Sequence, residues 1–248
     1  MLPFDVILFD VGGVLLTNGW DRRERGEVLD RFGLDRKTFE ARHREAYRAW
    51  ERGVAPVETY LHSTVFHEPR SFTPDDFFQA ICASSKVLPD GAMGILEELA
   101  ASHRYLLGTL NNEPRETNDY RFQQFGLGRY FRVTFCSCYI HLRKPDVGFY
   151  KKALDLLCSP PERILFIEDR PENVAAAQAV GMKAVRFENA AQLRNDLEAL
   201  GVYSWKERRA QVRVDCGACP YTQANWRQDG DGADSSEPRG SFTSPAGQ

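Results

Sequence analysis

The segment FDVILFDVGGVLL, residues 4–16, sends an apolar run (Val6, Ile7, Leu8, Phe9) straight into a carboxylate, Asp10, and then into the Gly12-Gly13 pair. Four consecutive apolar residues stopped by a turn signal read as a strand buried on both faces. A single aspartate after such a strand reads equally well as a helix N-cap or as a loop residue held by backbone amides. Whether Asp10 is structural or chemical therefore depends on what else the chain brings to the same place.

Downstream, helical and strand periodicities alternate. Helices are expected over 91–102, 114–126, 146–158, 172–180 (stopped by Gly181) and about 190–200, and strands over 104–110, 132–137, 163–169 and 183–187. Repeated strand–helix units imply an α/β fold, a doubly wound parallel sheet with helices on both faces. Between the first strand and this series the pattern is helical and rich in charge. Phe39, His43, Ala46, Tyr47 and Trp50 recur there at helical spacing, a stripe expected to be core, and Thr73-Pro74-Asp75-Asp76 has the form of a capped helix start. The organisation expected is an α/β core over 1–17 and 86–201 with a helical insert over 18–85. The remaining 202–248 is rich in Gly, Ser, Asp and Pro and is expected to be disordered.

At 248 residues, 42% of them hydrophobic, the chain can bury a sizeable core. A net charge of -3 provides no basic field for nucleic acid or an acidic membrane surface, so neither partner is expected. No apolar run is long enough for a membrane span and the first residues lack the signal-peptide pattern, which makes a cytoplasmic protein the expectation. Six scattered cysteines read as reduced thiols. Cys216 and Cys219 have half of a zinc-ribbon spacing, but no second pair accompanies them and no histidine follows His141.

Ligands of an open parallel sheet bind outside the carboxyl ends of its strands. Four predicted strands carry polar groups at that end: Asp10 with its glycine turn, Asn111-Asn112, the Arg143-Lys144-Pro145-Asp146 loop, and Glu168-Asp169. Converging, these would gather carboxylates and an ammonium in one crevice.

The stretches RKPDVGFYKKAL and ILFIEDRPENVAAAQAVGMKAVRF resemble the third and fourth motifs of the haloacid-dehalogenase-like (HAD) hydrolase superfamily, in the branch with a helical cap inserted after the first motif. The resemblance spans about residues 4–200. It implies that Asp10 is a nucleophile attacking phosphorus, or a carbon bearing a leaving group, to form an aspartyl intermediate. It implies Mg²⁺ held by Asp10, the Gly12 carbonyl and Asp169, with Glu168 on a metal water or contributing directly. Lys144 would neutralise the developing charge, and Asn111 and Asn112 would contact substrate.

Three positions depart from the family pattern. Gly12 stands where phosphatases of the family carry a second aspartate that protonates the leaving group, a loss worth on the order of 10²- to 10⁴-fold. Leu110 stands where a phosphate-binding Ser or Thr is expected, and Thr109, one position away, points to the opposite face of a strand. His141 replaces a glycine, as a proton-transfer group or an ordinary loop histidine. The leading expectation is a magnesium-dependent phosphatase acting on a small phosphorylated metabolite, favouring good leaving groups. A haloacid dehalogenase and a catalytically decayed binding or regulatory protein are the alternatives.

Overall fold

β1 (Val6–Phe9) is buried at every position, as a four-residue apolar run requires. The computed structural model describes residues 2–202. After β1 come α1 (Arg22–Arg31), α2 (Arg36–Glu51), α3 (Val57–Thr64) and α4 (Pro74–Ala83). Then α5 (Met93–Ser102), β2 (Leu106–Asn111), α6 (Arg115–Gln124), β3 (Val133–Cys136), a short α7 (Ser137–Ile140) and α8 (Val147–Leu157) follow. β4 (Ile164–Glu168), α9 (Pro171–Ala179), β5 (Lys183–Arg186) and α10 (Ala190–Ala199) complete the described chain. The expected disordered segment and the Cys216/Cys219 pair lie outside the described residues, apart from Val202.

The five strands form one parallel sheet in the order β3-β2-β1-β4-β5, with β1 at its centre. Period-two alternation sends the β1 side chains to opposite faces. Ile7 and Phe9 join a cluster with Ile95, Leu96 and Leu99 of α5 and Leu193 and Leu197 of α10. Val6 and Leu8 join Phe149, Tyr150 and Ala153 of α8 and Ala177 of α9 on the other side. Each such aliphatic side chain contributes about 1.5–3 kcal/mol through burial. The doubly wound sheet expected from the alternation is therefore present, with element ends within two or three residues of the expected ones.

The helices α1–α4 have their own apolar cluster, built around Trp20, Leu29, Phe39, Trp50, Tyr60 and Phe77. Thr73 caps α4 as its sequence suggests: its side chain accepts from the Asp76 amide while Asp76 accepts from the Thr73 amide. Two linkers join this layer to the sheet and are zipped together. Thr17 N donates to Lys86 O at 2.8 Å, Lys86 N to Thr17 Oγ1 at 3.1 Å, and Ser84 Oγ to Gly19 O at 2.9 Å. No helix among the described residues is long and apolar enough to cross a membrane.

Candidate active site

Asp10 follows directly on β1, and Glu168 and Asp169 close β4, its neighbour in the sheet, so parallel pairing alone places three carboxylates at one edge. One oxygen from each lies within 4.8 Å of the others. The next helix after Asp10 begins only at Arg22, so no helix is there to be capped; Asp10 Oδ1 accepts from the Val11 amide at 2.8 Å.

Lys144 arrives from the loop before α8 and enters the cluster almost completely buried. Its Nζ lies 3.0 Å from Asp10 Oδ1 and 2.6 Å from Glu168 Oε2. Burial opposes the charged ammonium, but the Asp10 and Glu168 carboxylates outweigh it and hold the Lys144 pKa above its ordinary value. Burial likewise opposes the Glu168 carboxylate, yet Lys144 draws its pKa down. Asp10 is pushed up to about 8, by burial first and then by the Glu168 charge. Asp169 is pushed up to about 7, again by burial first and then by Glu168.

Three carboxylates against one ammonium leave two negative charges when all are ionised, the complement of a divalent cation. The lone pairs available agree with this. Glu168 spends one oxygen on Lys144 and the other on the Arg170 amide at 3.1 Å, whereas Asp169 Oδ1 is buried with no partner among the described residues. Gly13 has φ 75°, and a Cβ there would sit 2.3 Å from Asp169 Oδ2, so the close approach of this turn to Asp169 requires glycine. Hard oxygen donors, an orphaned carboxylate oxygen and the net charge all fit Mg²⁺.

A cavity of about 380 Å³ opens over Asp10 and Lys144, walled by these two, Gly12 and Asn112 from the sheet side and by residues of α1 and α2 from the other. Asn112 commits both ends of its amide to the Lys144 backbone, accepting from its N at 2.8 Å and donating to its O at 3.0 Å. It thereby holds the loop that delivers the ammonium. Asn111 points elsewhere: it is buried, donates to Asn118 Oδ1 at 3.1 Å, and is not part of the cavity wall. Thr109 is fully buried and its hydroxyl has no partner among the described residues. His141 also lies away from the cavity, with Nδ1 2.8 Å from Arg52 O while Arg52 Nε donates to His141 O at 3.0 Å. This reciprocal pair fastens the end of α2 to the loop after α7.

At Gly12 a Cβ would meet Asn18 Oδ1 at 3.1 Å, so the place of the missing aspartate is crowded by a cavity-lining asparagine. The aromatic stripe of α2 corrects a sequence expectation. Phe39 and Trp50 belong to the helical core and Ala46 and Tyr47 pack against it, as expected, but His43 and the other side of Tyr47 also wall the cavity, together with Trp20, Arg25 and Glu51. Periodicity identifies the stripe; it does not say that the stripe straddles a core and a cavity.

The sequence model of the haloacid dehalogenase-like hydrolase family matches residues 4–181. The chain is 31% identical over 198 residues to Flavin mononucleotide hydrolase 1 of Arabidopsis thaliana, covering 79% of this chain and 78% of that protein. It is 27% identical over 202 residues to a sesquiterpene phosphatase of Aspergillus oryzae, covering 72% of this chain and 87% of that protein. In fold it is similar to a HAD family enzyme of Bacteroides thetaiotaomicron solved with magnesium and inorganic phosphate. That likeness has a TM-score of 0.63 at 17% identity over 83% of this chain and 98% of the other.

Proposed function

The chain belongs to the haloacid dehalogenase-like hydrolases and is an enzyme of that class, and from this premise we propose that it is a magnesium-dependent phosphatase using Asp10 as nucleophile on a small phosphorylated metabolite in the cytoplasm. The observation that carries the reading is the Asp10–Lys144–Glu168–Asp169 cluster, whose charge and orphaned oxygen call for a divalent cation. Metal-free cleavage of a carbon–halogen bond gives such a cluster no counterion.

Asp10, Asp169 and the Gly12 carbonyl would hold the ion, which when bound supplies positive charge to the transferring phosphoryl group. Lys144 presents its ammonium beside the attacking Asp10 oxygen and stabilises charge there throughout the reaction. Glu168 keeps that ammonium protonated and aimed, and Asn112 fixes the backbone carrying it. Asp10 attacks phosphorus, the ester oxygen leaves, and water then cleaves the aspartyl phosphate. With glycine at position 12, proton donation to the leaving oxygen is weak, so good leaving groups turn over fastest. Residues 18–85 serve as a cap that excludes water from this step. The names of the relatives supply two candidate substrates of contrasting polarity, a flavin nucleotide and a sesquiterpenyl phosphate.

The test is phosphate release from acetyl phosphate, p-nitrophenyl phosphate, flavin mononucleotide and farnesyl monophosphate, with Mg²⁺ or with EDTA. Release that requires Mg²⁺ and falls by roughly 10³-fold or more in Asp10→Asn is expected. Turnover that survives either EDTA or the substitution rules the mechanism out.

A further inference from the structure

His43 is 8% exposed, lies on α2 and lines the cavity over Asp10. Its ring is stacked between Phe39 and Tyr47, with centroids 5.5 and 5.0 Å away. Its protonation follows from its neighbours. The Trp20 indole can only donate, and its Nε1 donates to the Tyr60 hydroxyl at 2.6 Å. That hydroxyl, itself buried, has its own proton left for His43 Nδ1, 2.9 Å away. Where that proton goes to Nδ1, the neutral ring carries its hydrogen on Nε2. Nε2 has no hydrogen-bond partner among the described residues, on a ring that lines the cavity. Burial, and then the nearby Arg25 guanidinium, lower the imidazole pKa to about 4, so the ring stays neutral near pH 7.

Two further donors share this wall. Arg25 spends Nε on Glu40 and Nη1 on Trp20 O, which leaves Nη2 without a described partner. The Tyr47 hydroxyl, one helical turn from His43, makes no hydrogen bond among the described residues. A wall meant for a hydrocarbon chain would leave these donors desolvated and unmatched.

We propose that His43, fixed as the Nε2–H tautomer by the Trp20–Tyr60 relay and flanked by Arg25 and Tyr47, determines specificity by donating a hydrogen bond to the leaving group. The pocket thereby selects phosphate esters of polyhydroxylated or carbonyl-bearing alcohols over esters of hydrocarbon alcohols. The inference rests on the phosphatase reading and adds the substrate class to it.

Ribitol 5-phosphate and pentyl phosphate share a five-carbon chain and a primary ester and differ in their hydroxyl groups. The unmodified protein should favour ribitol 5-phosphate in kcat/KM by at least about 10-fold. His43→Phe, which keeps a planar ring in the stack, should shrink that preference by about 10-fold or more, chiefly through KM. Tyr60→Phe, which releases the tautomer, should shrink it in the same direction. Calorimetric binding of the same two esters to Asp10→Asn with Mg²⁺ should show the same order without turnover. Absence of hydrolysis of either ester by the unmodified protein would thus count against the phosphatase reading alone, because binding still decides the specificity. Tighter or equal binding of pentyl phosphate, an equal loss on both esters in His43→Phe, or a nitrogen NMR signature of the Nδ1–H tautomer would each overturn the proposal.

Discussion

At Lys144 three roles meet in one atom: its Nζ neutralises Asp10, holds Glu168 and faces the cavity. Removing it leaves two buried carboxylates without their cation. Lys144→Met should therefore destabilise the metal-free protein by about 3–5 kcal/mol, measured by urea unfolding in EDTA. Gly13 is the backbone counterpart. Because a Cβ there would lie 2.3 Å from Asp169 Oδ2 and φ is positive, Gly13→Ala should displace Asp169 and weaken Mg²⁺ binding by at least about 10-fold in calorimetry. Unchanged affinity would separate Asp169 from the metal. The approach of Gly13 to Asp169 was not legible locally, since the two lie far apart in the chain. What the sequence did show was the Gly12-Gly13 pair after a buried strand.

Among the elements, α6 carries the least expected group. Arg121 is buried on it and pairs with Glu113 at 2.7 Å. It also donates to Thr17 O on one linker and to Ser85 Oγ beside the other, each at 3.0 Å. Gly19 packs so closely that a Cβ would lie 1.9 Å from Arg121 Nη2. One guanidinium thus fastens both linkers of the helical layer to a residue of the cavity wall, Glu113. Arg121→Met should cost about 3–5 kcal/mol in urea unfolding, because Glu113 is left buried and unpaired. It should also speed proteolysis within the two linkers, and unaltered cleavage there would show that other contacts hold them. Sequence reading could not anticipate this role, because Thr17 and Arg121 are 104 positions apart and an arginine in a polar helix ordinarily faces water. The capped start of α4, by contrast, was fully legible, since every atom involved lies within four consecutive residues.

For the molecule as a whole, the cluster at the sheet edge ties folding to the cation. A ligand bound only by the folded state stabilises it by about 2.7 kcal/mol at a hundred times its Kd. Saturating Mg²⁺ should raise the melting temperature by roughly 5–10 °C, and Asp169→Asn should abolish most of that rise in the same thermal scans. An equal shift in the variant would place the binding elsewhere.

Strand and helix periods are local properties, and a parallel sheet has only one edge where its strands' carboxyl ends gather. The doubly wound fold, and the meeting of Asp10, Lys144, Glu168 and Asp169, were therefore inherent in the order of residues along the chain. What each face of the helical layer meets depends on how distant segments pack, and no period encodes that. Only the tertiary structure decided that Phe39 and Trp50 lie wholly in the core while His43 and Tyr47 also reach the pocket wall, and that Arg121 fastens the linkers.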